Sequence, residues 1–508
     1  VPAATHSQLS VIGYSANGNQ QWDEAALGNY GETFCYDPDH SLTDNDCTDS
    51  RPILMRSASG QVGQWCGNHG GAQFLRYYDS QGTQRRHSRM RTRYARYGPN
   101  LAQAVYAGQT EGGAMEFSYS AGLYRSDDYS RGVHRFRMDV KSDFTFSRLV
   151  FYQQAADTYA YGNGGLLAYG NATNATPLRQ WTATPGLNGN VGVPVELAGP
   201  MPWAMTLNCV TESSYTPANR GFVIRSWRAR LNGVDEVRPF LVERSTAGAS
   251  IFDVVPPPGV TALRAGDYVE AEIVRFYVPR FAQDYYGPNQ NFRRALTNYP
   301  DSYELALREA AGNHLAVTVL WGALEHTFPI QIAATNNRAG FSVQGGLGSV
   351  PVTLTDLSDY RDPVIEEKVG ELWVRIDQAV HGNDFWQTDF NAERGAWEVT
   401  YNLNLDGTND VDLATLLSAP PTRTFRFRLG GVQPPVFNAI EVSPEGTVHL
   451  TAAGELGFNF RLLTAPDPTL LVGAGSLVTN GTVRTTPFVL VDPVPATAPT
   501  RFYRLQTE

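Results

Sequence analysis

Lysine is almost missing from this chain: of 40 basic residues only Lys141 and Lys368 are lysines, and the rest are arginine. A GC-rich coding sequence accounts for most of that bias, but not for the clustering of arginine between Arg76 and Arg148. Arginine is suited to planar, bidentate recognition of carboxylate or sulfate. A basic excess is missing too. The net charge of -10 at pH 7 argues against nucleic acid as a partner. Cysteine is scarce, with Cys35, Cys47, Cys66 and Cys209 the full complement. No C-x-x-C occurs, so the usual zinc and dithiol spacings are excluded. No apolar run approaches the roughly 18–20 residues of a membrane-spanning helix. P-loop, G-x-S-x-G and H-E-x-x-H motifs are absent, which removes the chemistries they announce.

Turn and strand formers are plentiful, with Gly 48, Pro 31, Tyr 25 and Phe 24. Short strands with alternating patterns are predicted at 72–78, 85–97, 101–107, 114–120, 132–140 and 146–153. Turns rich in Gly, Asp or Ser separate them, the signature of an antiparallel sandwich. Further strands are predicted at 221–231 and 268–278, the second preceded by the rigid break Pro256-Pro257-Pro258. The loop-rich segment 156–215 lies before them. One helical insertion is expected at 289–312, capped by Asp301-Ser302 and stopped at Gly312. Strands resume from 315 to 429, and Gly430-Gly431-Val432-Gln433-Pro434-Pro435 reads as a linker. The expected fold class is all-β: a large antiparallel β-sandwich-type catalytic region and a small C-terminal β-sandwich. The expected division is 1–250, 251–430 with the helical insertion, and 431–508.

The tail Pro499-Thr500-Arg501-Phe502-Tyr503-Arg504-Leu505 resembles the closing strand of small C-terminal β-sandwich modules on large exported bacterial polysaccharide-degrading proteins. The resemblance covers the chain after the linker and implies export and polysaccharide work. Residues 1–430 resemble no named family.

An even, low cysteine count in a Tyr/Asn/Gly-rich chain also fits a secreted or periplasmic protein with one or two disulfides, Cys35–Cys47 first among the pairings. The sequence opens Val1-Pro2-Ala3-Ala4 without a leader pattern and is read as a mature form. Between these cysteines Asp37, Asp39, Asp44 and Asp46 offer hard oxygen ligands for a structural Ca²⁺. The ordinary reading is a solvated loop of Asx turns, since the glycine and closing glutamate of an EF-hand are missing. No cofactor is required by the chemistry considered below.

Arg85 to Tyr97 is the sharpest polar stretch. In an unbroken strand His87, Arg89, Arg91 and Arg93 share one face. Such a row repels itself unless acids lie against it, either from the chain (Asp127, Asp128, Asp139) or from a ligand. Asn68 and His69 between glycines, and His381 with Trp386, are further polar or stacking candidates. An ordinary turn or hairpin explains each equally well. The kit suits β-elimination on a uronic-acid glycan: cationic groups neutralise the carboxylate, and a His or Tyr moves the proton. On this reading Arg89, Arg91, Arg93, Asn68, Trp386 and His381 hold substrate. His87, His69, Tyr94, Tyr159 and Tyr285 are the candidate proton carriers. The partner is an acidic polysaccharide, and the activity a polysaccharide lyase. The alternatives are a glycoside hydrolase, for which Glu32, Asp127, Asp128, Glu270, Glu272 and Asp384 are the available carboxylates, and a non-catalytic carbohydrate-binding surface protein.

Overall fold

The computed structural model describes residues 5–11, 29–36, 46–56, 62–65, 71–98, 100–124, 130–157, 165–181, 192–207, 218–246, 249–279, 282, 293–294, 296–297, 304–370, 372–376, 386–405, 413–430, 435–454, 459–472, 475–493 and 500–507. The all-β class is confirmed. Two large antiparallel sheets pack face to face. The first runs Thr5–Val11, Asn29–Tyr36, Asp46–Arg56, Gly71–Asp79, Phe144–Asp157, Ala249–Val255, Phe240–Thr246 and Val195–Glu196 in spatial order. Asn29–Tyr36 and Asp46–Arg56 pair with Thr33 opposite Asp49.

The second sheet has β1 (His87–Tyr97) at its edge, followed by β2 (Leu101–Thr110), β3 (Met115–Tyr124) and β4 (Ser130–Val140). Beyond β4 come β6 (Tyr268–Pro279) and then β5 (Ala218–Leu231), with Trp203–Leu207, Gly165–Asn171 and Asn174–Trp181 completing the order. The alternation of β3 shows why these segments are strands. Met115, Phe117, Tyr119, Ala121 and Leu123 are buried between the sheets, whereas Glu116, Ser118 and Ser120 turn to the outer face. Phe74, Phe136, Phe151, Phe222 and Phe252 complete the aromatic centre of that core.

The outer face of the second sheet is covered in two places. The helix α1 (Glu304–Asn313) lays Leu305, Ala306 and Ala310 against Trp203, Val223 and Phe276. A second β-unit puts Phe328, Ile330 and Ile332 in one cluster with Leu101, Tyr124, Val133 and Val274. That cover explains why the alternation of β3 ends: Gly122 and Tyr124 are buried, although they lie on the outward side of the strand. The second unit has two five-stranded sheets, one of which begins β7 (Ala323–Thr327), Ile330–Ala333, Ser349–Leu357. Its Ile330–Ala333 and Ser349–Leu357 strands pair in parallel, an exception in an otherwise antiparallel ladder set.

Two expectations change. The helical insertion is where it was expected, as Glu304–Asn313 with helical residues at 293–294 and 296–297, its capping Asp301-Ser302 lying outside the described residues, but a further short helix, not expected, occupies Leu413–Ser418. The division at residue 250 falls inside the strand Ala249–Val255. The strands on either side of it share both sheets and one core, because Val254, Val269 and Ile273 pack among residues 74–252.

The C-terminal sandwich is present as two three-stranded sheets around Val448, Leu450, Phe460, Leu462 and Leu490. Its closing strand carries a polar lock. Asp492, 2% exposed, accepts from Arg501 at 2.7 Å and from the Tyr503 hydroxyl at 3.0 Å. The polar residues of the Arg-Phe-Tyr tail therefore satisfy one buried carboxylate.

Candidate active site

The part of the second sheet that neither α1 nor the second unit covers forms the floor of a cleft of about 580 Å³. Cross-strand partners share a face, so the register lays out this floor in rows. One row runs Arg91, Ala107, Ser118, Arg137, Glu270, Arg228 across β1, β2, β3, β4, β6 and β5. The next runs Arg93, Val105, Ser120, Arg135, Glu272, Ser226. Arginine alternates with small residues and glutamate, so adjacent charges are mostly of opposite sign.

Glu272 accepts from Arg135 at 2.5 Å on one side and from Arg225 at 2.9 Å on the other. Glu270 accepts from Arg137 at 3.2 Å and Arg228 at 3.1 Å. Arg137 also pairs with Asp139 at 2.8 Å. Arg225 stacks its guanidinium 4.0 Å from the centre of the Phe328 ring. Burial draws its pKa down to about 10, against the raising effect of Glu272. It is therefore still charged at neutral pH.

The opposite wall comes from β7 and is tied to the floor by a hydrogen bond from Arg135 to the Phe328 carbonyl. Leu324, Glu325, His326 and Thr327 line it. His326 is exposed at the cleft mouth but walled by protein elsewhere. That partial desolvation, and next the positive charge of Arg135, holds its pKa below the ordinary histidine range. Glu272 and Glu325 oppose the shift without reversing it. His326 thus faces an arginine-rich floor that disfavours its imidazolium form. Burial works against the charge of Glu325, but hydrogen bonds from Arg394 at 2.6 Å, Gln331 at 2.5 Å and Thr355 at 3.1 Å outweigh it. They leave the Glu325 pKa below the usual carboxylate value.

The residues singled out from the sequence are distributed unevenly. Arg91 and Arg93 extend the floor rows to the sheet edge. Arg89 is exposed and sits at φ 53° in a β-bulge. The expectation that His87 shares their face is corrected by that bulge. Between Ser88 and Arg91 three steps along β1 match two along β2, from Gln109 to Ala107. The extra residue reverses the phase. His87 is 1% exposed and packs 4.4 Å from Phe117 and 5.9 Å from Phe74, ring to ring, inside the sandwich. Burial takes its pKa to about 4. It cannot reach a ligand in the cleft. The acids weighed against the arginine row also divide: Asp139 pairs with Arg137 on its own strand, and Asp127 and Asp128 lie outside the described residues.

Tyr94 is 49% exposed on β1 and does not line the cleft, and Trp386 packs against the core of the second unit. His69, Asn68, Tyr159, Tyr285 and His381 lie outside the described residues, as do the calcium candidates Asp37, Asp39 and Asp44. Asp46 is placed by its backbone alone, at the start of Asp46–Arg56. Among the described residues no three His, Cys, Asp or Glu side chains converge as a metal site, and no helix is long and apolar enough to cross a membrane.

Sequence reasoning missed His326. Its neighbours Glu325 and Thr327 form no known motif with it, and only the seating of β7 over β4 brings it to the arginines. Glu270 and Glu272, by contrast, were visible as carboxylates two apart on a strand.

No family model matches the chain, and no curated protein matches it. Solved structures match in part. A GH36 α-galactosidase, AgaB, from Geobacillus stearothermophilus aligns at 9% identity and TM-score 0.30, covering 55% of this chain and 41% of that one. An α-galactosidase from Lactobacillus brevis aligns at 10% identity and TM-score 0.30, covering 57% and 41%. A putative aldose 1-epimerase from Escherichia coli K12 aligns at 6% identity and TM-score 0.27, covering 54% of this chain and 100% of that one. The chain therefore spans about two fifths of the length of the α-galactosidases it matches. Likeness this distant assigns neither a fold family nor an activity.

Proposed function

We propose that the chain is a secreted carbohydrate-active enzyme whose site is the cleft between β4, β6 and β7, and that it cleaves an acidic polysaccharide by β-elimination. The observation that carries this is His326 lining the same cleft as Arg135, Arg137, Arg225 and Arg228, with desolvation and Arg135 drawing its pKa below the ordinary histidine range. In β-elimination the proton alpha to a uronate carboxylate leaves to a base. Its electron pair becomes a carbon–carbon double bond, the glycosidic carbon–oxygen bond breaks, and the leaving oxygen takes a proton. The step is difficult while the carboxylate keeps its full charge, and cationic hydrogen-bond donors lower that barrier. Arg135 and Arg137 line the cleft, and in this reading the substrate carboxylate shares them with their present partners Glu272, Glu270 and Asp139. His326 takes the proton as general base.

A glycoside hydrolase is the second reading, because Glu270, Glu272 and Glu325 all line the same cleft. A hydrolase needs one carboxyl able to give a proton. Glu325 is held ionised by three donors, and Glu270 and Glu272 each bridge two arginines. That occupation favours elimination.

Incubation with alginate, glucuronan, ulvan and glycosaminoglycans, followed by ultraviolet absorbance and reducing-end assay, separates the readings. New absorbance from unsaturated ends is expected. Reducing ends without absorbance would establish the hydrolase, and retention without product a binding protein.

A further inference from the structure

We propose that the cleft is one end of a longer anion lane, and that an extended segment of an acidic glycan lies across the strands from β5 to the exposed edge at β1. This rests on the reading of the cleft as the substrate site, and it adds the direction and length of the ligand. The two register rows described above continue without a break from the cleft floor to Arg91 and Arg93. Six strands at about 4.8 Å spacing make a track of roughly 24 Å, room for several sugar rings.

The charge along it is one-sided. The rows carry Arg91, Arg93, Arg135, Arg137 and Arg228 against Glu270 and Glu272. The glutamates sit at the cleft end, where arginines already hold them. At the edge end Arg91 has no ion-pair partner among the described residues. Among the described residues Arg93 meets one acid, Glu393, at 3.6 Å, with the two side chains 53% and 71% exposed. An exposed contact of that kind is worth little and is readily exchanged for a ligand carboxylate or sulfate. The remaining acids on this face, Glu116 and Asp139, belong to the next row. Lys141 holds the first at 2.8 Å and Arg137 the second at 2.8 Å. Serines and small residues between the charges (Ala107, Ser118, Ser120) leave the middle of the track low and hydrogen-bonding, as a polymer of hydroxylated rings requires.

The test compares the wild-type chain with Arg91→Ala/Arg93→Ala and with Arg361→Ala, a control that removes an exposed cation from the second unit. Binding to alginate, heparin, dextran and duplex DNA is measured by affinity electrophoresis at low and high salt. The lane predicts binding to alginate or heparin and not to dextran. It also predicts roughly tenfold weaker, less salt-sensitive binding in the double variant, with the Arg361 variant unchanged. Equal affinity of wild type and double variant for the acidic glycans would overturn it, and so would DNA bound as tightly as those glycans. Retention that depends on Arg91 and Arg93 but yields no unsaturated product keeps the lane and removes the lyase reading. Unsaturated product with unaltered retention in the double variant keeps the lyase and removes the lane.

Discussion

Arg131 donates from one nitrogen to both carboxylate oxygens of Glu309, at 2.9 and 3.1 Å, across 178 residues of sequence, and both side chains are shut from solvent. The pair fixes α1 to β4. Asn313 completes the carboxylate from one turn along the helix, donating at 2.9 Å to Oε1. Removing one partner of a buried pair leaves the other charge unmatched, which costs about 3–5 kcal/mol. Glu309→Ala should therefore lower the urea midpoint strongly at unchanged slope. A loss below 1 kcal/mol would mean that the helix is held by Leu305, Ala306 and Ala310 alone.

If His326 is the base of the proposed elimination, it sets the pH dependence of turnover. Its pKa lies below 6.5 because partial desolvation, and then Arg135, disfavour the imidazolium. The active form is neutral. kcat/KM should hold level from neutral pH down to somewhat below 6.5 and then fall as protonation sets in. His326→Gln should lower kcat by about 10²–10⁴ and abolish that acid limb. A variant that keeps the limb would assign it to another group.

His87 contributes to stability rather than chemistry. Its folded pKa of about 4 is below its unfolded value near 6.5. The unfolded chain therefore takes up a proton first as the solution is acidified. The stability contributed by neutral His87 is complete above pH 6.5 and is lost as pH falls towards 4. His87→Phe keeps an aromatic ring in the core and removes the proton site. Its unfolding free energy should change less between pH 7 and pH 5 than that of the wild type, measured as a difference of two urea titrations.

Asp492 organises the C-terminal sandwich. Asp492→Ala leaves Arg501 and Tyr503 without their shared acceptor. It should destabilise that sandwich by roughly 2–4 kcal/mol, by analogy with breaking other buried charged hydrogen bonds. Calorimetry should show the loss in a transition of the C-terminal module. An unchanged thermogram would show that Phe460, Leu462 and Leu490 suffice.

Much of the fold was legible because side-chain alternation is a local property. The segments at 101–107, 114–120, 132–140 and 268–278 are strands, and extend by a few residues in the structure. His134, on the inward face of β4 with Phe136 and Met138, is fully buried and hydrogen-bonded to the Tyr119 hydroxyl. What alternation cannot supply is a break in phase. One bulge in β1 sends His87 inward while Arg91 and Arg93 stay outside. The placement of His326 is not local at all. It follows from the docking of one hydrophobic cluster on another, through Tyr124, Val133 and Val274 meeting Phe328 and Ile330.

That docking gives the cleft a mechanical property. The cations of the floor belong to the first sandwich and the imidazole to the second unit, so the gap between them is set by the seam that joins the two, apolar contacts together with the hydrogen bond from Arg135 to the Phe328 carbonyl. The rings of Tyr124 and Phe328 meet edge-on in that seam, with centroids 5.6 Å apart. Trimming the Phe328 ring would loosen that seam and remove the surface on which the Arg225 guanidinium stacks. The spacing across the cleft is therefore open to change from residues that do not line it.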